Sequence, residues 1–206
     1  MADVLILIPA AGASSRMRGR DKLMEDVRGA PLLRDRVNMA LSLGQPVLVT
    51  LPPDRPLRAE ALRDLAQPQL STVSVEDAAT GLSASLRTGA DWALRHGHTA
   101  LLVLLPDLPD LTAEDINTVL QTYDESKIIR ATAQDGTPGH PVLFPATFLP
   151  AMRHLTGDQG AQDILRANPV QTVRLPGARA TTDLDTPEAW TAWRAKQSFA
   201  NDKNGP

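Results

Sequence analysis

The feature that most constrains this sequence is a run of five large apolar residues, residues 4–8, followed at once by small residues. A short apolar run of this kind predicts a buried β-strand. The segment after it holds Gly12, two serines, three arginines and Lys22. Small side chains let backbone N–H groups approach an anion closely, and cations neutralise its charge. We therefore interpret residues 9–22 as a phosphate-binding loop; the alternative is an ordinary strand exit with a solvated basic run.

The loop does not match two common phosphate-binding signatures. No Gly-Lys-Ser or Gly-Lys-Thr closes it, as a Walker loop requires. The second and third glycines of the dinucleotide-binding fingerprint are also missing. The sequence therefore argues against a P-loop NTPase and against an NAD-binding protein.

Length and composition predict one domain. The 206 residues fit a single α/β domain, which we place at residues 1–197, with residues 198–206 as a disordered polar tail. The net charge of −3 gives no general attraction to nucleic acid or to membranes. The absence of cysteine excludes disulfides, thiolate metal sites and cysteine nucleophiles. Because the sequence shows no membrane-spanning run and no signal peptide, we expect a cytoplasmic protein.

Predicted strands and helices alternate along the chain. We predict strands at residues 4–8, 46–51, 71–75, 100–105, 127–133, 142–144 and 170–175. We predict helices at residues 31–43, 57–66, 83–96, 112–123, 145–154, 159–168 and 186–197. This alternation predicts a mostly parallel sheet covered by helices on both faces. In such sheets the ligand binds beyond the carboxyl ends of the strands, so polar residues that follow strands are the candidate site residues.

Carboxylates follow two of these segments. Asp107 comes after the apolar run 100–105 and stands between two prolines, so it could bind Mg²⁺, which prefers oxygen ligands. The alternative is that it makes a turn before the next helix. Asp183 and Asp185 occupy alternate positions, which face the same way on an extended segment and can converge on one cation. The alternative for this pair is an ordinary helix start at Thr186 and Pro187.

Two further segments have a functional and a structural interpretation. Gly81 permits a close approach, and Ser83 or Ser85 could donate to a base or a phosphate near a helix N-terminus. Alternatively, Ser83 is simply the helix cap. Residues 136–142 contain two glycines and His140. They could fold over a substrate as a lid or form a surface hairpin loop.

Taken together, these parts indicate one kind of chemistry. A basic phosphate loop, a carboxylate after a central strand and a late acidic pair suit Mg²⁺-assisted transfer at a nucleoside triphosphate. In that chemistry the metal bridges phosphate oxygens, and cations stabilise the developing charge.

The sequence resembles the MobA-like nucleotidyltransferases from about residue 4 to residue 190, and within them most closely the molybdenum cofactor cytidylyltransferases. The resemblance rests on motifs at residues 10–17, 22–23, 29–33, 81–86, 106–109, 139–142, 157–161 and 183–188. Two departures stand out. The spacing from Arg16 to Lys22 is one residue longer than the commonest form, and Leu108 stands where methionine is frequent.

The resemblance implies a Rossmann-like three-layer sandwich with a mostly parallel central sheet, of the nucleotide-diphospho-sugar transferase type. It implies transfer of a nucleoside monophosphate from CTP to a molybdopterin-type acceptor, with Mg²⁺ as cofactor and release of pyrophosphate. The product could pass to a molybdoenzyme, and neither nucleic acid nor a membrane is an expected partner. The alternatives are another acceptor, such as a sugar 1-phosphate, or a non-catalytic carrier of the cofactor.

The resemblance also assigns roles by position. Arg16 and Lys22 would be catalytic, and Asp107, Asp185 and Asp183 would bind the metal. The nucleotide-binding residues would be Ala10, Ala11, Gly12, Ser14, Gly81, Leu82, Ser83 and Ser85. The acceptor-binding residues would be His140, Gly157, Asp158 and Gly160.

Overall fold

The computed structural model describes residues 2–65, 67–77, 81–157 and 160–203. Its strands are β1 Val4–Pro9, β2 Asp26–Val27, β3 Ala30–Pro31, β4 Val47–Leu51, β5 Leu70–Ser74, β6 Ala100–Val103, β7 Ile128–Thr132, β8 Pro138–Pro145 and β9 Val170–Arg174. Its α-helices are α1 Leu32–Leu41, α2 Pro56–Glu60, α3 Leu82–His96, α4 Ala113–Gln121, α5 Leu149–Met152, α6 Gln162–Ala167 and α7 Pro187–Lys203.

Within these residues the main sheet has seven strands in the order β5-β4-β1-β6-β8-β7-β9. Strand β8 runs antiparallel to both of its neighbours, whereas the other pairs are parallel. Strands β2 and β3 form a small antiparallel hairpin. The predicted Rossmann-like architecture with a mostly parallel sheet is therefore confirmed.

Strand β1 explains the three layers, because its side chains alternate between two separate cores. Val4, Ile6 and Ile8 join the core that also contains apolar residues of α1, α4 and α7. Leu5 and Leu7 join the opposite core, which contains residues of α3, α5 and α6. A strand buried on both faces is uniformly apolar, which is why residues 4–8 show no polar alternation.

The strand order creates a crevice at the carboxyl end of β1. This strand pairs with β4 on one side and with β6 on the other. The chain first moves from β1 outward to β4 and β5, and it returns on the other side with β6. The loops after β1 and β6 therefore diverge at this switch point, which is where open α/β sheets bind ligands.

Segment 136–142 is not a lid. Most of it belongs to β8, which begins at Pro138 rather than at the predicted residue 142 and pairs with β6 and β7. A Cβ added to Gly139 would lie 2.1 Å from the Ala180 carbonyl oxygen, so only glycine fits there. The His140 amide donates to the same carbonyl, at 2.9 Å. Gly139 thus reflects close packing, whereas Gly136, with φ +91°, lies in the turn between β7 and β8.

The C-terminal helix is longer than predicted. It continues from Pro187 to Lys203, into the segment that we expected to be a disordered tail. Residues 198–203 contain neither glycine nor proline, so nothing in their composition ends the helix. Residues 204–206 lie outside the described residues.

Helix α3 packs against β1, and at Gly89 the two elements approach closely. A Cβ added to Gly89 would lie 2.5 Å from Cδ2 of Leu7, which is fully buried. We expect Gly89→Ala to lower the free energy of unfolding by about 1–3 kcal/mol, because overpacking outweighs the better helix propensity of alanine. Urea unfolding monitored by circular dichroism measures this loss. In a Leu7→Val background the same substitution should cost clearly less, and an equal cost in both backgrounds would contradict the contact.

Candidate active site

Four of the predicted site residues meet at the crevice. The Lys22 ammonium donates to Oδ2 of Asp107 and to Oδ1 of Asp185, each at 2.6 Å. Arg16 pairs with the other oxygen of Asp185. These side chains come from three separate segments: the loop after β1, the loop after β6 and the segment before α7. The structure thus brings the predicted catalytic cations and two of the three predicted metal ligands together.

Mutual charge keeps these groups ionised. Burial alone would lower the pKa of Lys22, but the carboxylates of Asp107 and Asp185 outweigh burial and hold the pKa above its ordinary value. Burial would likewise raise the pKa of Asp185, yet Lys22 and Arg16 lower it. By contrast, burial and the adjacent charge of Asp185 raise the pKa of Asp183. At neutral pH Lys22 is therefore an ammonium and Asp185 a carboxylate.

A cavity of about 470 Å³ opens beside this cluster. Its lining comes from the β1 loop, the α3 N-terminus, the β6 loop and the segment before α7: Pro9, Gly12, Ala13, Ser15, Arg16, Lys22, Leu23, Gly81, Leu82, Ser85, Leu105, Pro106, Asp107 and Asp185. The volume falls in the range of small-molecule sites in proteins. In the part of the chain that the structure describes, the backbone N–H groups of residues 11–13 donate to no protein acceptor. Of these residues, Gly12 and Ala13 line the cavity, where unpaired amides suit an anion.

Hydrogen bonds to other protein groups fix the start of the loop. The Ala10 amide donates to the Thr50 carbonyl at 3.0 Å, so it serves the sheet rather than the cavity. The Ser14 hydroxyl donates to Asp21 and accepts from Arg58. Ser14 is therefore held by protein partners, whereas Gly12 and Ser15 line the cavity.

The loop contains three positive-φ positions. Ser14 has φ +54°, Arg18 has φ +52° and Gly19 has φ +86°. Glycine adopts this region readily, whereas other residues adopt it rarely. Along this loop path both Arg16 and Lys22 reach Asp185, with the longer spacing between them.

The serines of α3 are placed differently from one another. Gly81, with φ +86°, is the N-cap of α3, so the interpretation of Ser83 as the cap is wrong. Ser83 is fully buried inside the helix, and its hydroxyl accepts from Arg87 at 3.3 Å. The Ser85 hydroxyl accepts from Thr50 at 2.9 Å, and Ser85 lines the cavity. Of the two serines, the structure therefore presents Ser85 to a ligand.

The carboxylates fit a divalent cation at the edge of the cavity. Oδ1 of Asp107 is buried and has no hydrogen-bond partner among the described residues. Asp107 and Asp185 line the same cavity, and two carboxylates with water and phosphate oxygens are the usual Mg²⁺ donor set. Asp183 instead lines a neighbouring cavity beside α7. Within the described residues, no group of three or more His, Cys, Asp or Glu side chains is placed to hold a metal.

The predicted acceptor residues are separated in the structure. A Cβ on Gly160 would lie 3.3 Å from Cδ2 of Leu82, so Gly160 adjoins the cavity lining. Gly157 lines a different cavity, together with Arg87 and Arg153. Asp158 lies outside the described residues.

His140 lies in β8, with its ring Nδ1 buried and without a hydrogen-bond partner among the described residues. Burial and the charge of Arg130 lower the pKa of His140 to about 4, against an opposing effect of Asp107. The imidazole is therefore neutral at physiological pH.

Two buried arginines that the sequence analysis missed bind the loops that carry the site residues. Arg58 binds the β1 loop, and Arg36 donates to the carbonyls of Leu108 and Leu111 in the β6 loop. Both guanidinium groups are essentially unexposed. A sequence signal did exist, because Arg36 lies four residues from Leu32 and from Ala40, on the buried face of α1.

Comparison with known proteins assigns the family. The family model described as the MobA-like NTP transferase domain matches residues 6–173. The chain belongs to the MobA-like NTP transferase family. It is accordingly a nucleotidyltransferase, which confirms the enzyme class expected from the sequence.

Two relatives of this MobA-like protein carry different functional names. It is 30% identical over 187 residues to phosphoenolpyruvate guanylyltransferase of Sphaerobacter thermophilus, covering 85% of this chain and 83% of that protein. It is 28% identical over 126 residues to the purine catabolism protein PucB of Bacillus subtilis, and this match spans 60% of each chain. The comparisons therefore support nucleotidyl transfer without settling the acceptor.

A solved structure confirms the fold of the MobA-like protein. Rv0371c of Mycobacterium tuberculosis superimposes with a TM-score of 0.76 at 25% identity, covering 93% of this chain and 97% of that one. A manganese complex of Rv0371c matches with a TM-score of 0.73 at 24% identity and the same coverage. Within the described residues, no helix has the length and apolar character needed to cross a bilayer.

The neutral state of His140 makes the stability of this MobA-like protein depend on pH. Between about pH 6.5 and pH 4 the unfolded chain binds a proton at this histidine and the folded chain does not, so stability falls as the pH falls. From about pH 7.5 to pH 5, the wild-type protein should lose on the order of 2 kcal/mol more than His140→Gln. Urea unfolding at both pH values tests this difference, and equal losses in the two proteins would contradict it.

Proposed function

We propose that this chain transfers a nucleoside monophosphate from a nucleoside triphosphate to a phosphorylated acceptor, with release of pyrophosphate. We further propose CTP as the donor and a molybdopterin-type compound as the acceptor. The observation that carries the proposal is the placement of Lys22 between Asp107 and Asp185 at the edge of the cavity.

The β1 loop is the proposed triphosphate site. It offers the amides of residues 11–13 from the backbone and two cationic side chains, Arg16 and Lys22. Gly12 has a non-positive φ, and a Cβ there would meet no protein atom within 4 Å. Glycine at this position therefore leaves space beside the backbone for phosphate oxygens rather than meeting a packing requirement.

Asp107 and Asp185 are the residues that would hold a divalent cation, which we propose to be Mg²⁺. Such an ion neutralises charge on the triphosphate and orients its oxygens. The manganese complex of Rv0371c supports the use of a divalent metal in proteins of this fold. Asp183 would support the metal site through Asp185, because a side-chain hydrogen bond with Asp183 lowers the pKa of Asp185.

The proposed reaction needs no protein nucleophile. An oxygen of the acceptor phosphate forms a bond to the α-phosphorus, the bond from that phosphorus to the β-phosphate oxygen breaks, and pyrophosphate leaves. Because a phosphate acceptor is already ionised near neutral pH, no general base is required. Lys22 and Arg16 supply fixed positive charge where negative charge develops, and their contribution is electrostatic.

Base and acceptor recognition are assigned by position. Gly81, Leu82 and Ser85 line the cavity at the start of α3 and are the proposed base-binding residues, with buried Ser83 supporting them. Gly160, which adjoins Leu82, and His140 are the proposed acceptor-side residues. The preference for CTP rests on the resemblance of residues 81–86 and 139–142 to the cytidylyltransferase branch.

A second candidate is guanylyl transfer to a different phosphorylated acceptor. It is favoured by the 30% identity to phosphoenolpyruvate guanylyltransferase over 85% of this chain. The chemistry and the roles of Lys22, Asp107 and Asp185 would be the same, and only the base and acceptor contacts would differ.

Pyrophosphate release separates these functions. Purified protein should be assayed with Mg²⁺, with molybdopterin or phosphoenolpyruvate as acceptor, and with CTP, GTP or ATP as donor. Release with CTP and molybdopterin alone supports the first proposal, and release with GTP and phosphoenolpyruvate supports the second. Nucleotide binding without pyrophosphate release from any pair would favour a non-catalytic carrier.

Asp107→Asn should lower turnover by about 10²–10³, because it removes one preorganised charge while keeping the side-chain shape. Asp110→Asn is the matched control on the same loop. Asp110 accepts from the Trp193 indole at 2.8 Å, so its loss should lower stability and leave turnover nearly unchanged. Initial rates and thermal unfolding of both variants test the assignment, and similar rates for the two would remove Asp107 from the metal site.

A further inference from the structure

Arg58 of α2 is a fully buried cation with every donor in use. Its side chain is 0% exposed. The guanidinium has five N–H donors. Two reach the carbonyls of Ala10 and Gly12, at 2.6 and 2.8 Å, and one reaches the Ser14 hydroxyl at 3.1 Å. The remaining two bind the two oxygens of Asp21, each at 2.8 Å.

These five acceptors belong to the two ends of one loop. Ala10 and Gly12 lie where the loop leaves β1, and Asp21 directly precedes Lys22. Asp21 also accepts from the Leu23 amide at 3.1 Å, and this bond fixes the turn that contains Lys22. One guanidinium group therefore connects the residues that offer backbone amides to the turn that presents the lysine.

The direction of the contacts matters for anion binding. Arg58 donates to carbonyl oxygens of the loop, which would otherwise repel a phosphate. The amides of residues 11–13 have no protein acceptor among the described residues. Its charge is matched by Asp21, whose pKa is lowered by Arg58 against the opposing effect of burial. Because every donor of Arg58 is bound to the loop itself, its effect on the loop is geometric.

We propose that Arg58 is a positioning residue that holds the β1 loop in its triphosphate-binding shape and aligns Lys22 with Asp107 and Asp185. The inference rests on the proposed function for its kinetic consequences, but the shape of the loop can be measured without any substrate. Lysine cannot replace this residue, because an ammonium has three donors at one point and cannot span acceptors at both ends of the loop.

The first test compares Arg58→Lys with Arg34→Lys. Arg34 is the matched control, since its hydrogen bonds go to both oxygens of Asp64 and to the Ala61 carbonyl, outside residues 10–23. Hydrogen–deuterium exchange of the full chain should show exchange faster by roughly ten- to a hundred-fold in Arg58→Lys at the hydrogen-bonded loop amides, those of Ala10, Met17, Arg20 and Leu23. The control should match wild type there. Equal exchange in the two variants would overturn the proposal.

The second test uses turnover with the nucleotide and acceptor that release pyrophosphate in wild type. Arg58→Lys should raise KM for the nucleotide about tenfold or more and leave KM for the acceptor near wild type. A merely structural role would lower the active fraction and leave both KM values unchanged. If wild type releases no pyrophosphate with any pair, the proposed function fails, whereas the exchange result still decides the role of Arg58.

Asp21→Asn covers the possibility that Arg58→Lys does not fold. It leaves the carbonyl acceptors of Arg58 in place, and it weakens the bonds that Asp21 makes with Arg58 and Ser14. Faster exchange should then be confined to the amides of Arg20 and Leu23, with the amide of Ala10 as in wild type. Unchanged exchange at the amides of Arg20 and Leu23 would contradict a positioning role that acts through Asp21.

Discussion

The candidate active site depends on the ion pairs that Lys22 makes with Asp107 and Asp185. Each partner lies on a different segment of the chain, and the cluster joins the loop after β1, the loop after β6 and the approach to α7. Three ionised groups can remain partly buried together because each carboxylate offsets the cost of removing the ammonium from water. The cluster therefore sets the relative positions of three segments that the sheet alone leaves free to vary.

Much of this arrangement could be predicted from the sequence, because each cluster residue follows or precedes a recognisable element. Asp107 comes just after an apolar run, and parallel strands place their carboxyl ends at one edge of the sheet. Residues 4–8 predicted a strand buried on both faces, and their alternation between two cores confirms it. Local pattern and strand direction together are sufficient to bring Lys22 and Asp107 to one crevice.

The features that sequence could not supply depend on tertiary contacts. The position of Arg36 in α1 indicated burial, but the partners of Arg36 and Arg58 did not show in the sequence, because a carbonyl acceptor leaves no trace in the residue types around it. Strand β8 was predicted too short because its first residues contain glycine and proline, which normally indicate a loop. Gly139 is needed there for the Ala180 carbonyl, a contact 41 residues away in sequence. Asp183 and Asp185 were expected to face one cation, and their carboxyl groups do hydrogen-bond to each other. Asp183 also lines the neighbouring cavity, since the chain between the two residues does not run as a regular strand.

The charge balance of the cluster also bears on how a triphosphate would bind. In the unliganded protein the charges of Lys22 and Arg16 are already matched by Asp107 and Asp185. On the proposed function, these cations can turn to phosphate oxygens only if the carboxylates gain another positive partner, which a divalent ion accompanying the nucleotide supplies. Nucleotide and metal binding should then be coupled through a single exchange of ion pairs. Arg58 takes no part in that exchange, since all its donors remain bound to the loop, so the backbone geometry can persist while the side-chain pairs change.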